Sequence, residues 1–142
     1  MFDHAPDVPK VVYVDVDGTL LDNRADFAYH SRARTYGEEA ALEWYATNCP
    51  DDLELNTAVL AQLIMYKLHG YRVVLWTNRS MNQFQPTLRN LGRYGLHRFF
   101  DAMLFGNGRK RRFVDNNIIA IDNEWRSLEG LTHPLFVFTF TA

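Results

Sequence analysis

Apolar runs of four or five residues recur along the chain, and most end in a polar or glycine-containing turn. Val11-Val12-Tyr13-Val14 gives way to Asp15-Val16-Asp17-Gly18-Thr19, and Arg72-Val73-Val74-Leu75-Trp76 to Thr77-Asn78-Arg79-Ser80. Ala102-Met103-Leu104-Phe105 stops at Gly106, and Ile118-Ile119-Ala120-Ile121 stops at Asp122-Asn123. A last run, Leu135-Phe136-Val137-Phe138, lies near the end. Runs this continuous and this rich in β-branched residues read as parallel strands buried on both faces. Between them lie helical patterns. From Asn56 to His69, Val59, Leu60, Leu63, Ile64 and Leu68 fall on one face, with Gly70 as the stop. A second helix is expected over about 82–94, with Pro86 in its first turn and Leu88 and Leu91 inward. Alternating strands and helices predict a parallel sheet of about five strands with helices on both faces and right-handed crossovers. In such a sheet the reactive crevice lies at the carboxyl ends of the strands.

Residues 23–54 break the alternation. Seven acids and three bases crowd there (Asp26, Glu38, Glu39, Glu43, Asp51, Asp52 and Glu54 against Arg24, Arg32 and Arg34). The middle, about Gly37 to Thr47, predicts an amphipathic helix with Ala40, Ala41, Trp44 and Tyr45 available for packing. The segment reads as a small helical insertion over the crevice of a single domain spanning residues 1–142. Tyr29, His30, Arg32 and Arg34 stand where such a lid would meet a substrate.

Composition narrows the classes. Hydrophobic residues are 47% of the 142 and aromatics 14%, which suits one folded core and excludes a disordered chain. Fifteen bases against seventeen acids give a net charge of −2, unlike a nucleic-acid coat protein. The one cysteine, Cys49, permits no internal disulfide, and the five histidines lack zinc-ligand spacing. The first ten residues lack the apolar run of a signal peptide, and no stretch approaches membrane-spanning length. A cytoplasmic location without membrane attachment is the expectation.

The turn Asp15-Val16-Asp17-Gly18-Thr19-Leu20 carries the chemistry. Two carboxylates two residues apart diverge in a regular strand, but where the strand ends both can approach one site. Phosphoryl transfer needs a nucleophile, a proton donor for the leaving oxygen, and positive charge around the phosphate. Asp15 would attack phosphorus to give an aspartyl-phosphate. Asp17 would protonate the leaving alcohol and then deprotonate the hydrolytic water. Adjacent acids call for a cation, and Mg2+ with its hard-oxygen preference is expected, with Asp122 as a further oxygen source. Thr77, at the end of the second strand, offers a hydroxyl and an N–H to the phosphate, with Asn78 beside it. Lys110 supplies fixed positive charge. Any of Arg109, Lys110, Arg111 and Arg112 could do so, and Lys110 is preferred because a compact ammonium fits between an aspartate and a phosphate. Arg79 either joins the phosphate-binding set or pairs with an acid.

These motifs resemble those of the haloacid dehalogenase superfamily over about Val11 to Asn123. Val-Val-Tyr-Val-Asp-Val-Asp-Gly-Thr-Leu-Leu-Asp looks like its first motif, Val-Val-Leu-Trp-Thr-Asn-Arg like its second and Ile-Ile-Ala-Ile-Asp-Asn like its fourth. The resemblance implies a Rossmann-like three-layer α/β sandwich with a small cap. It also implies Mg2+ held by the Asp15 carboxylate, the Asp17 main-chain carbonyl and Asp122. Two departures stand out: Asn123 and Glu124 occupy the place of a usual second acid, and Lys110 precedes Asp122 by only twelve residues. The function implied is a magnesium-dependent phosphomonoester hydrolase. Its substrate would be a small phosphorylated molecule such as a nucleotide, or a nucleic-acid 3′-phosphate end. A sugar phosphatase, a phosphotransferase or dehalogenase using the same aspartate, and a binding module that has lost its chemistry are the competing readings. Oligomeric state is not legible.

Overall fold

The computed structural model describes residues 10–106, 119–122 and 133–136. Five parallel strands form one sheet: β1 (Val11–Val14), β2 (Arg72–Thr77), β3 (Ala102–Phe105), β4 (Ile119–Asp122) and β5 (His133–Phe136), in the order β3-β2-β1-β4-β5. The α/β, Rossmann-like architecture expected from the alternation is therefore present. The strand order reverses at β1, which lies at the centre of the sheet with β2 on one side and β4 on the other. Topological reversals of this kind open the crevice in which α/β proteins bind ligands. The last strand begins two residues earlier than its apolar run suggested, because His133 and Pro134 join the ladder opposite Ile119 and Ala120.

Sheet pleating divides the strand side chains between two faces. Val12, Val14, Val73, Leu75 and Ile121 gather in one cluster with Val59 and Leu63 of helix α3 (Thr57–Leu68) and Leu91 of helix α4 (Phe84–Gly92). The opposite face carries Tyr13, Trp76, Leu104 and Ala120, with the Tyr13 and Trp76 rings 4.7 Å apart. The β3–β4 and β4–β5 connections lie outside the described residues. Burial of each Leu or Val in the first cluster contributes about 1.5–3 kcal/mol relative to exposure.

α3 starts at Asn56, whose side-chain oxygen accepts from the N–H groups of Ala58 and Val59 at 3.1 and 3.2 Å. The inward stripe of this helix is narrower than its apolar pattern. Val59 and Leu63 are buried and Leu60 and Tyr66 pack partly against the same cluster, whereas Ile64 and Leu68 are 42% and 79% exposed. The expected helix at 82–94 is a 3₁₀ turn (Met81–Gln83) running into α4, and its buried face is Thr87, Asn90 and Leu91, with Leu88 half-buried.

The insertion holds two helices where one was expected. α1 (Arg24–Tyr36) and α2 (Glu38–Asn48) are joined at Gly37, whose φ of 93° is open to glycine at little cost. α1 buries only Ala25, so it leaves almost no periodic apolar signal. It is held by α2 through Tyr29 edge-on to Tyr45, with ring centroids 6.2 Å apart, and through the Arg32 guanidinium 4.2 Å over the Trp44 ring. His30 pairs with Asp26, and Arg34 is exposed. Asp22 closes the base of the insertion. Its carboxylate accepts from the Glu54 N–H at 2.6 Å and from Arg24 through Nε and Nη2, while its own N–H donates to the Glu54 carbonyl at 2.9 Å. Burial works against the charge of Asp22, but the bonds from Arg24 and the Glu54 N–H outweigh it and hold the carboxyl below its ordinary range.

Two stability predictions follow from these anchors. Replacing Asn56 by Ala removes a helix cap and is expected to lower the unfolding free energy by about 1–2 kcal/mol in denaturant titration; a cost below a few tenths of a kcal/mol contradicts the capping role. For Asp22 the folded pKa lies below the unfolded one, so its contribution is present above the ordinary carboxylate value of about 4 and is lost as pH falls through the folded value. Asp22→Asn should therefore be less stable than the native chain near neutrality, with the gap closing below about pH 4. A gap that stays constant with pH rules out the charge as its source.

Candidate active site

The loop leaving β1 is fixed by its own backbone. The Asp15 N–H donates to the Ile121 carbonyl at 3.0 Å, continuing the β1–β4 ladder one step past Val14. Leu20 N–H then returns to the Asp15 carbonyl at 3.3 Å and Leu21 N–H to the Val16 carbonyl at 2.9 Å. Gly18, at φ 78°, turns the chain so that its N–H reaches the Leu21 carbonyl at 2.7 Å. Asn56 ties the far side: its amide donates to the Thr19 carbonyl at 3.1 Å and its N–H to the Leu20 carbonyl at 2.8 Å. The residue that caps α3 thus also holds the Asp-x-Asp loop. Val16, Thr19, Leu20 and Leu21 are fully buried beneath it.

Both acids sit at the carboxyl edge of the sheet. The Asp15 carboxylate is 3.3 Å from the Thr19 hydroxyl, which donates to it. Asp17 has a charged partner. Arg79 Nε donates to its Oδ2 at 3.0 Å and Nη2 to its Oδ1 at 2.8 Å, a two-bond fork across 62 positions of sequence. The Arg79 side chain is 2% exposed and that of Asp17 14%. The remaining terminal nitrogen, Nη1, donates to Thr87 Oγ1 at 2.9 Å and Asn90 Oδ1 at 3.1 Å. Tyr45 of the insertion lies on the guanidinium, its ring centroid 5.5 Å away. Burial alone would lower the Arg79 pKa, but the Asp17 charge and hydrogen bonds raise it, so the guanidinium stays charged. Burial pushes the Tyr45 phenol and the Cys49 thiol up, leaving both neutral around it. Removing one member of a buried ion pair typically costs about 3–5 kcal/mol.

Of the residues singled out in the sequence, Asp15, Asp17, Thr77 and Arg79 come to one edge of the sheet, together with the position of Asp122 at the end of β4. Thr77 ends β2, is buried, and accepts the Arg79 N–H on its hydroxyl at 3.0 Å. Asn78 is exposed at the rim. Of the two readings of Arg79, the structure displays the pairing with an acid: its side chain makes four hydrogen bonds, to Asp17, Thr87 and Asn90. Lys110 and its neighbours Arg109, Arg111 and Arg112, with Asn123 and Glu124, lie outside the described residues. Thr87 and Asn90 were not anticipated. Gln83, Thr87 and Asn90 put a buried polar stripe at helical spacing where an apolar one is normal, and that pattern is the signal that marks them.

The donors available for a cation are the Asp15 carboxylate and the Asp17 carbonyl. The backbone bridge next to that carbonyl uses the Val16 carbonyl and the Gly18 N–H instead. Asp122, one register step past Ile121, adjoins Asp15 on the neighbouring strand, about 5 Å away in backbone terms. These hard oxygens suit Mg2+. Among the described residues, no three His, Cys, Asp or Glu side chains converge as a metal cluster. The charge argument for the cation changes in one respect: the Asp17 carboxylate already has the Arg79 guanidinium as its counter-charge. Among the described residues, no helix is long and apolar enough to cross a membrane.

Comparison with known proteins agrees with the geometry. No curated sequence matches the chain at a significant level. Among solved structures, a chain of the Pnkp1/Rnl/Hen1 complex aligns over 99% of this chain at 24% identity and a TM-score of 0.63. This chain spans half the length of that one, 50%. The same assembly, described elsewhere as an RNA repair complex, aligns at 21% identity and a TM-score of 0.61, covering 97% of this chain and 46% of that one. A HAD-superfamily hydrolase from Ehrlichia chaffeensis aligns at 10% identity and a TM-score of 0.59, covering 93% of this chain and 88% of the other. At these identities the likeness concerns the fold. The family model of HAD superfamily subfamily IIIB (acid phosphatase) matches residues 1–115, and the chain therefore belongs to the haloacid dehalogenase superfamily.

Proposed function

We propose that the protein is a magnesium-dependent phosphomonoesterase working through an aspartyl-phosphate on Asp15, with a nucleotide or a nucleic-acid 3′-phosphate end as substrate. The observation that carries this reading is the pairing of two carboxylates with different surroundings on one loop. Asp15 accepts the Thr19 hydroxyl and sits beside the Asp122 position, whereas Asp17 is held by a guanidinium.

The Asp15 carboxylate oxygen forms a bond to phosphorus while the ester P–O bond breaks. Asp17, protonated at the start of this step, gives its proton to the departing oxygen. Water then attacks the phosphorus of the aspartyl-phosphate and gives its proton to Asp17, and the acyl P–O bond breaks to return Asp15 and release phosphate. Thr77 and Asn78 at the tip of β2, and Lys110, would hold the phosphoryl oxygens. Mg2+ held by Asp15, the Asp17 carbonyl and Asp122 would offset the charge between the attacking carboxylate and the phosphate. The substrate class is supported by the small size of the insertion, two short helices, and by the fold shared with a chain of an RNA repair complex.

The experiment is turnover of a panel containing p-nitrophenyl phosphate, nucleoside monophosphates, sugar phosphates and 3′- and 5′-phosphorylated oligonucleotides, with Mg2+ or with chelator. Mg2+-dependent release of phosphate, greatest from 3′-phosphorylated ends or nucleotides, is expected; a preference for sugar phosphates overturns the substrate assignment alone. Asp15→Asn should keep the fold, as judged by circular dichroism, and lose all turnover. Asp17→Asn should retain about one hundredth of it or less. Near-native rates in Asp15→Asn would falsify the nucleophile.

A further inference from the structure

We infer that Arg79 is a positioning residue for proton transfer: its fork fixes the carboxylate plane of Asp17, and the inserted helix α2 braces the fork through Tyr45. The inference rests on the acid/base role proposed for Asp17.

A carboxylate on a short side chain has a broad terminal torsion and does not hold one plane unaided. Proton transfer needs it within hydrogen-bond reach of the leaving oxygen, and a misplacement of about 1 Å costs on the order of a hundredfold. Arg79 supplies the missing constraint. Each Asp17 oxygen accepts one guanidinium N–H, which sets the plane, and each keeps a second lone-pair site for a substrate or water. The guanidinium is itself oriented from both sides. Thr87 and Asn90 take Nη1, and the Tyr45 ring lies on the guanidinium. Its backbone is tied at both ends, the N–H to Thr77 Oγ1 and the carbonyl to the Gly106 N–H at 2.8 Å. With four of its five N–H donors directed to protein atoms and 2% of its side chain exposed, Arg79 is poorly placed to clamp a substrate phosphate. Charge alone would not require this geometry, since a lysine ammonium could neutralise Asp17 without setting its plane.

The test uses the full chain with Mg2+ and compares Arg79→Lys, Asp17→Asn and the double variant on two esters. One, p-nitrophenyl phosphate, releases an acidic phenol that needs little protonation; the other, glycerol 2-phosphate, releases an alkoxide that needs it. Arg79→Lys should lower kcat on glycerol 2-phosphate at least about tenfold more than on p-nitrophenyl phosphate, a fraction of the whole acid–base effect. Competitive inhibition by inorganic phosphate should stay within about twofold, and the substitution should add almost nothing in the Asp17→Asn background. Thr87→Val, which removes one acceptor and keeps the guanidinium, should move the same ratio in the same direction by less, and it stands in if Arg79→Lys does not fold. Equal losses on both esters mean a merely structural role and overturn the inference. So does a weakened phosphate inhibition that persists without Asp17, which identifies a phosphate clamp. If the native chain shows no turnover that depends on Asp15, the hydrolase reading fails and takes this inference with it. If turnover depends on Asp15 and Asp17 but is indifferent to Arg79 and Thr87, this inference fails alone.

Discussion

The fork between Arg79 and Asp17 is the contact around which the crevice is arranged. It joins the loop after β1 to the loop after β2, and it draws in α4 through Thr87 and Asn90 and the insertion through Tyr45. A buried guanidinium is tolerable only when nearly every N–H finds an acceptor, because an unpaired buried charge costs several kcal/mol. That requirement explains why α4 turns polar residues inward at Thr87 and Asn90 where an apolar stripe would otherwise pack, and why a neutral ring covers the guanidinium. One electrostatic demand thus specifies side chains on four separate segments.

A second set of constraints keeps the Asp-x-Asp loop in place from below. The sheet supplies the Ile121 carbonyl to Asp15, Gly18 permits the tight return, and Asn56 uses its amide on the loop and its oxygen on α3. The two acids of one short motif then meet different surroundings. Asp15 faces a hydroxyl and a neighbouring strand that ends in Asp122, while Asp17 is met by a cation. A division of labour between nucleophile and proton carrier is consistent with that asymmetry.

Much of this was readable in the residues. The strands were legible because parallel strands buried on both faces are written as unbroken apolar runs. Asp15, Asp17 and Thr77 were legible because the ends of those runs point to one edge. What escaped reading has a physical reason in each case. α1 buries Ala25 alone and therefore has no apolar face to detect. Ile64 and Leu68 obey the helical period but lie on the exposed side of α3. Arg79 could have served a phosphate or an acid, and only the folded chain brings its acid, 62 positions away in sequence, within reach. Thr87 and Asn90 gain meaning only once that guanidinium is in place. The basic run containing Lys110 falls beyond the described residues.

The placement of Tyr45 has an evolutionary consequence. In an enzyme whose lid only filters substrates, the lid can be swapped or reshaped while the chemistry below is left alone. Here one side chain of the insertion covers the cation that grips Asp17, so a change at position 45 disturbs that ion pair as well as the insertion. New specificities should be reached more easily by changing the outer helix, residues 24–36, than by exchanging the helix that bears the ring.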